Sequence, residues 1–175
     1  MLVACGGNTT KNKAAEEAVP AIEIDALLAD AATMTGQEVV IEGLCTHACQ
    51  HGATKIFLMG SNETKTIRVE ACELGAFKQE CVNSIVRVTG KLVEDRIDEA
   101  YLQAWEARSA TEKEHGEEGE GGCSTEKAAR GETGNSVAER IADFRAKIAA
   151  EKEATGKEYL AFYHVDATSY EIVEE

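Results

Sequence analysis

Four side chains that bind soft or borderline metals stand at alternate positions, Cys45, His47, Cys49 and His51, in a chain holding only six cysteines and four histidines. Alternate residues of an extended strand share one face, so the spacing predicts a single stripe of thiols and imidazoles. Thiolate with imidazole suits zinc or copper, and the same stripe offers ligands to a haem iron. Geometry limits the idea. In a straight strand Cys45 and Cys49 lie about 13 Å apart. A disulfide needs Cα atoms within about 7 Å, and one tetrahedral ion could not collect all four donors. Convergence requires Cys49 to Gly52 to curl into a hairpin loop, which Gln50 and Gly52 favour. Two other readings stay open: a redox-active thiol pair, and cysteines facing a core with His47 and His51 near its rim.

Cys5 carries a different chemistry. Leu2-Val3-Ala4-Cys5-Gly6 matches the pattern of a lipid-attachment box, and Gly7 to Lys13 follows as a polar tether. The expectation is a lipid on Cys5 that anchors the protein to a membrane, as a periplasmic or outer-membrane-associated lipoprotein. Each buried methylene of such a chain contributes about 0.8 kcal/mol. A secretory leader needs a basic segment and an apolar segment, whereas only Met1 to Ala4 precede Cys5, so this reading expects a start upstream of Met1. The alternative is a cytoplasmic protein with a chance cysteine. Without Cys5, an odd number of cysteines remains, and a fully paired disulfide framework would need a partner chain or leave a free thiol. Cys72, read as lying in a strand, is a candidate for a buried free cysteine acting as a small hydrophobe.

Weaker candidates follow. His115 and Cys123 flank the acidic run Glu117-Glu118-Gly119-Glu120, which could gather metal ions loosely or serve only as a solvated linker. Tyr101 and Trp105, at helical spacing beside Leu102, could stack on a base or sugar, or dock their helix on the rest of the fold. No Ser/His/Asp order, phosphate-binding glycine loop or paired-acid signature is present, so the expectation is a protein that is not an enzyme. The net charge of −14 repels phosphate backbones and argues against nucleic acid as a partner. No apolar run reaches the length of a membrane-crossing helix.

The elements that must position these residues read as α+β. Ile24, Leu27, Leu28 and Ala31 form a helical stripe within residues 22–35, with Asp25 as its N-cap and Gly36 as its end. Residues 38–45 are strand-like, with Gly43 marking a bulge or strong coiling. Residues 54–59 and 64–71 follow as strands, the latter alternating Lys65, Ile67 and Val69 against Thr66, Arg68 and Glu70. A short helix over 74–80 contains Phe77, and a fourth strand spans 84–94. Residues 97–107 turn helical, and residues 112–122 form an acidic loop. A second helix opens at Ser136 with a capping box to Glu139 and closes at Gly156. Residues 159–173 are the last strand, with Leu160, Phe162, His164 and Asp166 on one face. The order β-β-β-α-β-β is that of a five-stranded OB-like barrel, with a helical insertion over about 97–156 between its last two strands. Residues 1–20 are read as lipid box and tether, and 21–175 as a single domain.

Thr35-Gly36-Gln37-Glu38-Val39-Val40-Ile41-Glu42-Gly43, Thr66-Ile67-Arg68-Val69-Glu70 and the segment Arg96 to Glu106 resemble small OB-fold lipoproteins of Bacteroides-type bacteria. The resemblance covers roughly residues 22–110 and 157–173. It implies the barrel fold and an envelope lipoprotein, and it carries no activity. Two function classes therefore stand: an envelope binding module holding a metal or haem through the Cys/His stripe, or an interaction protein whose barrel and insertion engage a protein, oligosaccharide or nucleic-acid partner.

Overall fold

The computed structural model describes residues 19–50, 52–114 and 124–173. The elements run β1 (Ile22–Glu23), α1 (Ile24–Met34), β2 (Glu38–Ala48), β3 (Lys55–Met59), β4 (Thr66–Glu70), β5 (Ile85–Asp98), α2 (Glu99–Glu114), α3 (Ser124–Ala129), α4 (Val137–Thr155) and β6 (Tyr159–Val173). β2 pairs antiparallel with β3 and with β5; β3 pairs with β4, β4 runs parallel to β6, and β6 returns antiparallel to β5. That circuit closes a five-stranded OB-like barrel, with β1 added beside β2. Closure leaves the barrel strands no free edge.

The predicted periodicities hold where burial can enforce them. Ile67 and Val69 point into the barrel with Val39, Ile41, Ile56, Leu58, Val86, Val88, Leu92 and Val165. Ile24, Leu27 and Ala31 drive α1 into the same core. Asp25 is not the N-cap: it lies in the first turn, and its carboxylate accepts from the Ser61 amide at 2.8 Å and the Ser61 hydroxyl at 2.6 Å. The expected helix over 74–80 is instead two 3-10 turns, Cys72–Leu74 and Gln79–Cys81, with buried Phe77 between them. Gly75 takes φ 80°, a left-handed value that ends the first turn before a helix can propagate.

β5 and β6 outlast the barrel. They pair from Ile85↔Val173 to Asp98↔Tyr159, so the expected helical start at Ile97 is still strand. Asp98 then accepts from the Tyr101 amide at 2.8 Å and serves as the N-cap of α2. α2 and α4 lie against this ribbon and share a second core of Ile97, Leu102, Ile141 and Phe144, flanked by Trp105, Leu160 and Phe162. Trp105 is thus a docking residue, with its ring 6.2 Å from Phe144 and the Arg140 guanidinium 4.6 Å above it. The capping box of Ser136 and Glu139 is formed, and Gly156 ends α4 in a left-handed conformation. Cys5 and its tether, His51, His115, Cys123 and the run 117–120 lie outside the described residues.

Candidate metal centre

The stripe of Cys45, His47 and Cys49 is broken by an extra residue. The β2–β3 register shifts between Cys45↔Leu58 and His47↔Phe57, so Thr46 sits in a bulge. A one-residue bulge reverses which face the following side chains occupy. Cys45, before the bulge and in phase with Val39 and Ile41, points into the barrel, fully buried, with its thiol donating to the His47 carbonyl at 3.6 Å. Burial pushes that thiol up to about 11, and the neighbouring Cys81 adds to the effect. His47 lies beyond the bulge against the Phe57 ring at 5.9 Å. Cys49 stands half-buried at the hairpin, where its amide donates to the Lys55 carbonyl at 2.8 Å. Among the described residues these three do not gather into a set of ligands.

Another set does. The parallel pairing of β4 and β6 puts Arg68 opposite His164 and Glu70 opposite Asp166. All four point away from the barrel core, because Ile67, Val69 and Val165 between them point in. On this outer face Glu70, His164 and Asp166 each offer a donor atom, and the three atoms lie within 4.8 Å of one another. Donors bound at about 2.1 Å to one ion can be at most about 4.2 Å apart, so the cluster is slightly more open than a filled site. The carboxylates can close that gap, since their side chains are 30% exposed for Glu70 and 41% for Asp166.

His164 is the rigid member, only 7% exposed. Its Nδ1 donates to Asp95 on β5 at 2.8 Å, and its Nε2 faces Asp166 at 3.1 Å. Burial alone would lower the imidazole pKa, but the hydrogen bond and charge of Asp95 outweigh it and the net shift is upward. Asp95 is likewise opposed by its own burial, yet His164 first and then Arg68 hold its carboxyl below the ordinary range. A carboxylate behind the far nitrogen of a histidine is the arrangement that fixes the tautomer and ring plane of metal-bound imidazoles.

Arg68 binds this face to the helical insertion. Its Nη2 reaches Asp95 at 2.9 Å and its Nη1 reaches Glu126 of α3 at 2.6 Å. Glu126 also meets Lys55 at 3.6 Å and Arg130 at 3.3 Å. The Arg68 Nε is buried without a hydrogen bond, although Glu70 lies 3.1 Å away. Glu70 is therefore held by charge rather than by an aligned bond. Two residues on, Cys72 opens the first 3-10 turn with φ 47° and is exposed rather than buried in a strand. Its thiol pKa is raised to about 11, by desolvation first and then by the Asp166, Glu70 and Glu73 carboxylates.

The sequence contained half of the signal for this cluster. The alternation puts Glu70 on one side of its strand with Thr66 and Arg68, and His164 and Asp166 on one side of theirs. What joins them is the parallel β4–β6 register, which no local pattern records. Comparison with known proteins yields no matching family model, curated protein or solved structure.

Proposed function

We propose that this chain is a binding module rather than an enzyme, and that it holds one divalent transition-metal ion on the flank of its barrel through Glu70, His164 and Asp166. The observation that carries the reading is the convergence of one imidazole and two carboxylates within 4.8 Å, with Asp95 behind the imidazole. This donor set suits zinc, with copper as a competitor, better than haem iron, which takes axial ligands from opposite sides of a flat macrocycle. The His164 Nε2 and the Asp166 carboxylate stand 3.1 Å apart. A dication held there would interact more strongly with both carboxylates than a single positive charge does.

The same proposal keeps the module at a membrane through a lipid on Cys5, which the lipid-box pattern and the polar tether support. An acidic surface gives such a module no electrostatic hold of its own on an anionic bilayer, so a covalent anchor would have work to do.

Elemental analysis of purified protein tests the metal. The parent should carry one zinc per chain after exposure to zinc and desalting, and His164→Ala and Asp166→Asn should carry almost none. Asp95→Asn should weaken binding about 10- to 100-fold, as loss of an outer partner does. Cys45→Ser with Cys49→Ser should leave loading intact. Substoichiometric metal in the parent sinks the proposal. Full loading in His164→Ala, lost in the double cysteine variant, would return the site to the Cys/His stripe. For the anchor, expression from the genomic reading frame in the native host should place the protein in the membrane fraction and Cys5→Ser in the soluble one. A membrane-bound Cys5→Ser would refute lipidation there.

A further inference from the structure

We propose that the cleft between α3 and the outer face of the barrel is a second binding site, and that it takes a small aromatic carboxylate. The site is separate from the metal face, since none of Glu70, His164 and Asp166 lines it. Two chambers of about 190 and 480 Å³ adjoin there, sharing Thr66 of β4 and Ala129 at the end of α3. A cavity of about 150 Å³ accepts a benzene ring, so the smaller chamber has room for one ring. Its floor is aromatic. Ile56 and Leu58 point into the barrel, so Phe57 between them points out. Phe57 is 1% exposed yet packs in neither hydrophobic core, and it lines the smaller chamber with Phe162 and Tyr163. The helix side is thin. Ala129 lines both chambers and is exposed, so its methyl group leaves the space between helix and sheet unfilled.

Charge selects the ligand. Arg68 and Arg130 both line the smaller chamber. One carboxylate oxygen, Glu126 Oε1, bridges them, at 2.6 Å from Arg68 Nη1 and 3.3 Å from Arg130 Nη2. The other oxygen, Oε2, lies 3.6 Å from Lys55. The chain's own carboxylate thus marks where an anionic ligand would sit, and Lys55 gives Glu126 a partner to keep when it yields that place. Asp95, a further acid of the chamber, is already engaged by Arg68 at 2.9 Å and by His164 at 2.8 Å. Arginine bonds to carboxylates are charge-assisted and directional, which suits a pair of guanidinium groups to this class of ligand. An apolar cavity with a few converging polar groups is the usual form of a small-molecule site. Binding exchanges one carboxylate for another and makes or breaks no covalent bond.

Phenylacetate serves as the probe, titrated calorimetrically into the full chain kept metal-free with a chelator. It should bind at one equivalent. Phenylacetamide keeps the ring but loses the charge, and should bind at least about tenfold more weakly. Acetate keeps the charge but loses the ring, and should weaken by at least a similar factor. Arg130→Gln should bind phenylacetate about tenfold more weakly. Glu126→Gln should bind it several-fold more tightly, because the internal competitor is gone. Ala129→Leu fills the space with apolar volume and should abolish binding, while its circular dichroism matches the parent. No saturable binding of phenylacetate overturns the inference. So does equal affinity for phenylacetamide, binding that survives in folded Ala129→Leu, or weaker binding in Glu126→Gln. Zinc loading of the same preparations, measured separately, keeps the two sites apart: zinc without phenylacetate removes this site alone, and phenylacetate without zinc removes only the metal site.

Discussion

At the scale of single residues, charge placement decides more than residue identity. Asp25 shows it away from the candidate metal site. Its carboxylate accepts two hydrogen bonds from Ser61, and these bonds hold its pKa below the ordinary value, with the Ser61 hydroxyl as the larger cause. A carboxylate with a depressed folded-state pKa contributes stability that is complete above its unfolded value of about 3.9 and is lost as pH falls through the folded value. Asp25→Asn should therefore melt earlier than the parent at pH 7, and the two melting curves should converge in strong acid. Circular dichroism across the pH range checks this, and a gap that persists at low pH would assign the loss to shape rather than charge. His164 and Asp95 follow the same logic with opposite signs, the one raised and the other lowered by their mutual contact.

At the scale of elements, two bulges set the faces. The one at Thr46 leaves Cys45 inward, in phase with Val39 and Ile41, and turns His47 out beside Phe57. The other falls in the β5–β6 register between Thr89 and Gly90, beside the candidate metal face. A Cβ on Gly90 would stand 2.3 Å from the Asp166 carbonyl oxygen and 2.7 Å from Val165. Neither contact is tolerable, so Gly90→Ala should force the strands apart and cost about 1–3 kcal/mol or more, with Asp166 displaced from His164 and zinc affinity reduced. Urea unfolding with zinc titration measures both effects, and a variant as stable as the parent would contradict the close approach. The α2–α4 pair behaves differently. Phe144 is fully buried between Trp105 and Phe162, so Phe144→Ala should cost about 3–5 kcal/mol by cavity formation. No proposed zinc ligand lies on either helix, and metal affinity should be retained in whatever fraction remains folded.

At the scale of the whole molecule, a closed barrel carries the candidate ligands and a helical insertion braces them from outside. The barrel supplies Glu70, His164 and Asp166 on adjacent strands, while the insertion reaches the same face through Glu126 on Arg68. Replacing residues 99–157 by a short turn would leave β5 and β6 joined as a hairpin. The shortened chain should still fold and bind zinc, because every proposed ligand and Asp95 remain. It should also self-associate, because Leu160 and Phe162 lose the helices that cover them. Size-exclusion chromatography and zinc stoichiometry together read this out. Loss of zinc from a folded, shortened chain would show that the insertion positions the site rather than merely covering its flank.

Local pattern by itself determined the five barrel strands, though not the two-residue β1 that it read as the start of α1, and it determined the stripe of α1, the capping box at Ser136 and the order that makes an OB-like barrel. These depend on residue spacing and on side chains that satisfy their own backbone neighbours, both of which are written along the chain. It misplaced what depends on a single backbone step. The bulge at Thr46 and the left-handed residues at Cys72 and Gly75 carry no periodic signature, yet each changes which way the following chain faces. Only the tertiary structure decided that His164 and Asp166 stand beside Glu70. Residues almost a hundred positions apart meet there through a parallel register that the closing barrel imposes. The Cys/His stripe was legible because its spacing is local. The cluster with converging donors was not, because its spacing exists only across strands.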